Sequence, residues 1–515
     1  VGIRLAAEEF SSTPSRKYRI RGVKVRIPGA GAASSGTPTV DSQTGRIVYP
    51  SNYIFNGTMN ATRVWCSCPA MILLDLLTNK RYGLGDHIAP DQTSDSTTFS
   101  NLDLFSFVAA SKFANELVDD NTGAGTKEAR FSCNVNIQSP KQAFEAINEL
   151  SGVMRCMPIW SAGSISLTQD KPTTSKYIFN LSNVGEEGFL YQGTSAKQRH
   201  SIVSVSYFNM DSQQIDFEIV GDSDPITTEQ QTRQDKFGTD IKKIVAFACT
   251  SRGQAARLGK AILFAEENET ETVTFTTSID SGVVVRPGNV ISINDPVRAE
   301  NRTGGRVTAV THTLSSTALT IDAEASTTLP NLYTDTNIAN PPTISVLLPD
   351  GTFETQNISE ILNGVVTCNI PFSQEPNVFT PFVIDTNDIK TQLFRVVQVS
   401  EEDGVNYAIT GVKYIENKYG VIEDEEPLAV RNISTLLELK PSPTNLVVEE
   451  RQVVFENLEQ NQLIISFEAV QGVSQYQLVY KYEDDNPITE ILTGTDFTIF
   501  NARAGKYKIE VFSFN

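Results

Sequence analysis

The stretch Ala61–Gly85, ATRVWCSCPAMILLDLLTNKRYGLG, is the one the rest of the chain is organised around. Pro69 suits the first turn of a helix, where its missing N–H costs nothing, and Ala70, Leu73, Leu74 and Leu77 follow at i, i+3, i+4 and i+7. Met71, Ile72 and Leu76 make the segment apolar nearly all round, which predicts a helix packed on several sides inside a domain. Lys80 and Arg81 suit the negative end of its dipole, and Gly83 and Gly85 offer backbone angles that end it. Cys66 and Cys68, two apart on an extended segment, face the same side. No CxxC partner or nearby histidine completes a zinc set, so buried free thiols are expected.

Working outward, a chain of 515 residues is too long for one core and implies about three to five domains. No run of ~18 apolar residues is present to form a membrane-spanning helix. The chain opens at Val1 without a methionine or a secretory n-region and h-region, so residues are expected upstream of it. A net charge of −19 argues against sequence-independent DNA affinity, which comes from Lys and Arg neutralising phosphates. The charge is uneven: Arg16, Lys17, Arg19, Arg21, Lys24 and Arg26 make residues 1–30 basic, whereas Glu401–Glu426 and the C-terminal part are acidic. Opposite ends are expected to face different partners. Six scattered cysteines are too few for a disulfide scaffold and fit assembly in a reducing cytoplasm.

Residues 1–59 read as a β-rich segment, with alternation in Tyr18-Arg-Ile20 and Val23–Ile27 and a small, polar loop tip over Gly29–Gly45. Residues 60–175 alternate helix and strand. After the opening helix, Leu102, Phe105, Ala109 and Phe113 mark a second. Ser139-Pro140-Lys141-Gln142 is a capping box for a third, with Ala143, Ala146, Ile147 and Leu150 on its face and Gly152 at its end. A hairpin follows, CMPIW, Ser-Ala-Gly, SISLTQD, completing an α+β domain. Residues 176–285 read as strands at Ile202–Phe208 and Ile215–Ile219 around one helix, capped at Ser251 and patterned by Ala255, Leu258, Ile262 and Ala265. Residues 286–420 are short strands with Gly, Pro, Asn and Asp turns, suited to small barrels or sandwiches; Arg286-Pro287-Gly288 fits a tight turn. Residues 421–441 read as a linker, overlapping an acidic, polar stretch Gly420–Lys440 that carries a short helix at Thr435–Leu439. In residues 442–515, Leu446, Val448, Ile465, Phe467, Tyr476, Val479, Phe497 and the alternation Tyr507-x-Ile509-x-Val511 resemble a fibronectin type III sandwich, with Phe467 where a core Trp is usual. A last edge strand is expected to follow Asn515. The fold class is multidomain, mainly β with α+β parts.

Chemistry-bearing motifs are sparse. Gly29–Ser34 has G-x-G-x-x-S spacing, but no apolar helix follows to present its N-terminus to a pyrophosphate. GAGTK at Gly123–Lys127 lacks the Walker order, and no G-x-S-x-G elbow is present. His87, His200 and His312 are far apart and without HExxH spacing, so each is read as structural. A glycosidase pair among 61 acidic residues requires a fixed separation that sequence does not display. No catalytic group, metal or cofactor is expected; Met154 and the Trp160 strand offer apolar surface.

Trp65, then Asp75, Leu77 and Thr78, then Arg81-Tyr82-Gly83-x-Gly85 resemble the hallmark of the tail tip attachment proteins of lambda-like siphophages, the protein J or host specificity family. The resemblance continues at Met154–Trp160 (MRCMPIW), Gln169–Pro172 (QDKP), Arg199–Val205 (RHSIVSV, with His200), Cys249–Ala255 (CTSRGQA, with Ser251, Arg252 and Gly253), Arg286–Ile291 (RPGNVI), Gly304–Val307 (GGRV) and Gln392–Val397 (QLFRVV). It implies a non-enzymatic virion protein, a trimeric central hub whose tail-tube-like β domains close the distal tube, anchor the central fibre and open for DNA ejection. It also implies contacts with the distal tail protein, other tip proteins and the C-terminus of the tape measure protein, with receptor recognition mostly beyond Asn515. DNA would pass without specific binding. The implied location is the distal tail tip of the virion, after assembly in the host cytoplasm. Arg81 is expected to fix a neighbouring loop through its planar guanidinium or to anchor the core as the helix ends. The alternative is a secreted fibronectin-module adhesin or polysaccharide-active enzyme; the hub of a domesticated prophage particle shares every sequence feature of the first reading.

Overall fold

A computed structural model describes residues 20–514 except 91–95, 124, 138–141, 162, 196–198, 211, 224–225, 300–301, 323–340, 386–390, 425–427, 429–441, 456–457, 471–472 and 474. The chain divides into two compact units, Val1–Ala429 and Val430–Asn515. Both are built mainly from strands, and the first also carries α+β parts.

The opening helix forms over Pro69–Thr78 with proline in its first turn. Ala70, Met71, Leu73, Leu74 and Leu77 are almost fully buried, and each large apolar side chain so placed contributes ~2 kcal/mol. Around them pack residues of the helices Leu104–Asn115 and Ala143–Val153 and of the hairpin Cys156–Ser161/Ser164–Gln169. Val25, Ile27, Ile47, Tyr53, Phe55 and Met59 enter the same core from the N-terminal side.

The helix does not end as its glycines suggested. Asn79 is the C-cap, in extended conformation, and neither Gly83 nor Gly85 has positive φ. Instead the chain folds back onto the last turn: Leu84 N–H donates to Leu76 O at 2.8 Å and Gly85 N–H to Asn79 O at 3.1 Å. A Cβ at Gly83 would stand 2.0 Å from Leu76 O and one at Gly85 2.4 Å from Thr78 O, so close backbone approach is what requires glycine. Lys80 and Arg81 lie past the final turn, and Lys80 Nζ donates to Pro90 O at 2.6 Å.

Several expected boundaries move for local reasons. The second helix starts at Leu104 because the Asp103 carboxylate accepts from the N–H groups of Phe105 and Ser106. That start turns Leu104, Phe107, Val108 and Ala114 inward and leaves Phe105 60% exposed. The third helix starts at Ala143 after Gln142; the rest of its expected capping box lies outside the described residues. It continues through Gly152 and stops where Arg155 turns left-handed at φ 52. Val25 makes only an isolated bridge to Val64, while the strands Thr39–Val40 and Ile47–Val48 include part of the expected loop tip. Tyr18 lies outside the described residues. A second helix in the 176–285 region, Thr228–Phe237, escaped the sequence because it buries none of its residues; Thr227 and Gln230 cap it with a complete box.

Short strands form through residues 286–420 as expected, but chain neighbours are distributed between two sheets. A six-stranded sheet runs Tyr177–Asn180, Val290–Asn294, Gln392–Glu401, Asn406–Lys413, Glu271–Ser278, Leu190–Gly193. A seven-stranded sheet collects Gly304–His312, Thr317–Ile321, Thr343–Leu347 and four strands the alternation missed: Phe353–Asn357, Glu360–Leu362, Val365–Cys368 and Pro381–Asp385. The Pro287-Gly288 turn forms as expected, with Gly288 at φ 88 and Asn289 N–H donating to Arg286 O. A separate three-stranded sheet, Gln214–Val220, Ile202–Asn209, Ile241–Val245, has the helix Arg252–Asn268 on one face.

The expected linker is folded at its start: Lys418–Ile422 is a helix with Lys418, Tyr419 and Ile422 buried. Thr435–Leu439 lies outside the described residues. The second unit has two three-stranded antiparallel sheets. One pairs Val447–Phe455, Leu458–Ser466 and Asp496–Ile499, the other Ile488–Leu492, Gln475–Tyr482 and Tyr507–Phe514. Ile465, Phe467, Tyr476 and Leu478 are buried, with the Phe467 ring edge-on to Tyr476. Leu446 and Val448, expected inside, are substantially exposed.

All six cysteines are free and buried. Burial pushes the thiols of Cys133, Cys156, Cys249 and Cys368 up to about 12, and those of Cys66 and Cys68 also upward. A thiol-disulfide reagent at pH 8 is therefore expected to titrate fewer than one cysteine per native chain and all six after denaturation. Fast reaction of several native thiols would contradict this packing.

Candidate functional site

Several of the residues singled out in the sequence occupy joints in the first unit. At the opening helix, the buried Asp75 carboxylate accepts from Arg63 Nη1 at 2.9 Å and, through its other oxygen, from the Tyr82 hydroxyl. Burial, and then the neighbouring carboxylate, raise the Tyr82 phenol well above its usual value. The Arg21 guanidinium stands 5.1 Å from the Trp65 ring centroid. Arg81 departs from expectation. It is exposed, and among the described residues only its backbone N–H, donating to Asn79 Oδ1, is engaged.

A second joint lies at the start of the long helix Arg252–Asn268. Ser251 caps it by accepting from Gln254 N–H, and the Ser251 hydroxyl donates to Glu128. The Gln254 side chain accepts from Ser132 N–H and Oγ, both at 3.0 Å, so it ties the cap to Ser132 rather than closing a capping box. Arg252 pairs with the buried Glu218 at 2.7 Å, and a Cβ on Gly253 would meet Asp120 O at 2.6 Å. Near the other end of this helix His200 approaches Glu266 through its backbone N–H and Nδ1, and Lys242 holds the other carboxylate oxygen at 2.6 Å. Burial opposes ionisation of Glu266, but the bonds from Lys242 and His200 outweigh it and hold the carboxyl below its usual value. Arg199 stacks toward Phe237, with ring centroid 5.7 Å away. Met154 is fully buried, whereas Trp160 stands 64% exposed near the hairpin turn, so of the two only Trp160 offers surface. His312 bonds Thr317 Oγ1 at 2.8 Å, and His87 lies exposed in the short helix Gly85–Ile88.

The joint that sequence reasoning missed is centred on the Lys418–Ile422 helix. Lys418 Nζ lies 3.0 Å from Asp170 Oδ2 and 2.8 Å from Glu269 Oε1. Tyr419 donates to Asp170 Oδ1 at 2.6 Å, and Arg395 reaches the same oxygen at 3.1 Å. One turn on, Glu423 takes both Nε and Nη2 of Arg130 at 2.7 and 3.1 Å, and Asp424 pairs with Lys260. Arg155, mostly covered and over the Phe131 ring, sits 3.8 Å from Glu423. These charges bind the hairpin, the long helix and the six-stranded sheet to one short segment. Asp170 and Arg395 lie in the words QDKP and QLFRVV, but a pairing across more than 200 residues leaves no periodic trace.

Burial pushes the Asp170 carboxyl up, but Lys418 and Arg395 prevail and hold it below the ordinary carboxylate value. A carboxyl depressed in the folded state contributes stability that is present above its unfolded pKa and is lost as pH falls through the folded one. Melting temperature is therefore expected to drop as pH falls from about 5 toward 3, with a shallower drop in Asp170→Asn. Equal slopes in the two proteins would remove Asp170 from the acid limb.

A polar groove of about 620 Å³ lies between the six- and seven-stranded sheets, with Ser175, Ser292, Thr343, Thr355, Asp385 and Glu416 in its walls. Asp385 there accepts from Thr391 N–H and Oγ1.

Comparison with known proteins follows the same parts of the chain. The family described as putative phage tail protein matches residues 142–310, which contain the hairpin, the three-stranded sheet and the long helix. Tip attachment protein J of Escherichia phage SECphi27 is 28% identical over 484 residues, 90% of this chain and 37% of that protein. Tip attachment protein J of Escherichia phage SECphi4 is 25% identical over 427 residues, 81% of this chain and 33% of that one. The chain thus spans about a third of the length of the curated relatives it matches. A solved tail protein from Neisseria meningitidis MC58 aligns at 10% identity and TM-score 0.26, covering 59% of this chain and 62% of its own, a likeness too loose to carry weight.

Proposed function

We infer that this chain, similar over most of its length to phage tail tip attachment proteins, is a structural part of a siphophage tail tip. In this reading three copies form the central hub, close the distal end of the tube, anchor the receptor-binding fibre and open to release DNA. The observation that carries it is 28% identity over 90% of the chain to a tip attachment protein J. The placement of the residues that carry the resemblance supports it: Ser251, Arg252, Gly253 and His200 serve joints between folded parts, as wall pieces require, while Asp75, Tyr82 and Gly83 lock the end of the opening helix. A net charge of −19 suits a passage along which DNA must slide without adhering.

Residues 176–285 and the sheets beyond them are proposed as tube-like hub domains, and 442–515 as a fibronectin type III spacer. The partners are the distal tail protein, other tip proteins and the end of the tape measure protein, and the role is non-enzymatic. Native mass measurement is expected to give three copies, and labelled antibody against this segment is expected to mark the distal tail in intact particles. A monomer at every concentration, or label along the tail shaft, would overturn the hub. Glycan hydrolysis abolished by Asp385→Asn would favour the polysaccharide-active alternative.

A further inference from the structure

The sheet Gln214–Val220/Ile202–Asn209/Ile241–Val245 is patterned the wrong way round for an isolated protein. In Gln214–Val220 the carboxylates of Asp216 and Glu218 lie on the same face as Val220, which packs against the core under the helix Arg252–Asn268, and Glu218 is buried against Arg252. In Ile241–Val245, Lys242 lies on that face too and pairs with Glu266. Ile215, Phe217 and Ile219 therefore alternate to the opposite side, as do Ile241 and Val245. The register aligns them with Phe208, Ser206, Ser204 and Ile202 of the central strand.

On that outer face Ile215 and Val245 are 71% and 80% exposed, and Phe208, Phe217, Ile219 and Ile241 are 43–56% exposed. Half-exposed side chains of this size each present on the order of 100 Å². Six together pass the ~300–600 Å² of the largest apolar patch on a typical monomer and approach the ~800 Å² per partner of a stable interface. The strands carry one charged side chain on this face, Lys243, and no carboxylate. Such depletion of charge is the composition of interfaces between identical copies, which are more apolar than those between different proteins. Without carboxylates, it is also a face where copies each carrying −19 meet less local repulsion. A bilayer is a poor occupant: strands of five to eight residues are shorter than the ~9–11 needed to span one, and this three-stranded sheet is not a closed barrel.

We propose that the outer face of this three-stranded sheet is the surface on which a second copy of the chain docks. The proposal deepens the hub reading: in a closed ring each copy offers the face once and receives it once. The test is native mass, across a concentration series, of the full chain and of the double variant Ile215→Lys/Val245→Lys. Both positions protrude, so circular dichroism and melting temperature should be unchanged, while self-association weakens at least ~100-fold. A double variant that assembles like the parent overturns the docking face and leaves the ring reading standing. A parent chain monomeric throughout overturns both. A parent dimer lost in the variant upholds the face and removes the three-fold ring. Monomeric parent that binds phosphatidylcholine–phosphatidylglycerol vesicles, with binding lost in the variant, assigns the face to lipid and overturns the second copy.

Discussion

Lys418→Ala is expected to destabilise the first unit by about 3 kcal/mol, the lower end for a broken buried pair, because it strands two partly buried carboxylates rather than merely deleting a cation. Lys418 is 6% exposed, and its ammonium is shared by Asp170 and Glu269. Asp170 keeps Arg395 as a partner, so the greater penalty falls on Glu269. Removing the charges together should behave differently. The triple variant Lys418→Met/Asp170→Asn/Glu269→Gln is expected to recover most of the loss, since desolvation largely offsets the attraction within a buried network. Melting temperature reads both, with hydrogen exchange at residues 418–424 as the local probe. A single variant losing under about 1 kcal/mol would show that water reaches this joint and that the segment does not clasp the unit.

The second large effect is expected at Gly83. Adding one methyl group there places a carbon 2.0 Å from the Leu76 carbonyl oxygen, and that oxygen is already accepting from Leu84 N–H. Neither partner is the loose end of a side chain, so the turn must move off the helix and take Tyr82, and with it the bond to Asp75, out of place. Gly83→Ala is accordingly expected to cost about 3 kcal/mol, at the upper end of overpacking penalties. Gly152→Ala is the matched control. It sits in a helix with open space where Cβ would go, and should stabilise by about 0.5–1 kcal/mol. If both substitutions behaved alike, conformational freedom and not close approach would be what Gly83 supplies.

Gly83 shows where sequence reasoning stops. Its presence after an apolar helix was legible, but its reason was not, because φ is ordinary and the obstacle is a carbonyl seven residues earlier. The 81–85 turn was read as a place for Arg81 to act, yet the side chain that reaches back is Tyr82. His200 was read as structural, and it meets Glu266 on the long helix. Phe105 was one of the apolar positions that marked the second helix; the helix forms, and the Asp103 cap turns Phe105 outward.

By itself the sequence determined the elements whose cause is local. Periodicity and a proline set the Pro69–Thr78 helix, Ser251 set the start of Arg252–Asn268, alternation set the longer strands, and Pro287-Gly288 set its turn. Only the tertiary structure decided which strands share a sheet, which charges meet across the Lys418–Ile422 helix, and which side of Gln214–Val220 faces the core. The reason is physical. A helix or turn is stabilised by residues within four or five positions, so its cause is written nearby. Strand partners, buried ion pairs and the inward face of an alternating strand depend on groups brought together from distant parts of the chain, and alternation alone reads the same with either face turned inward.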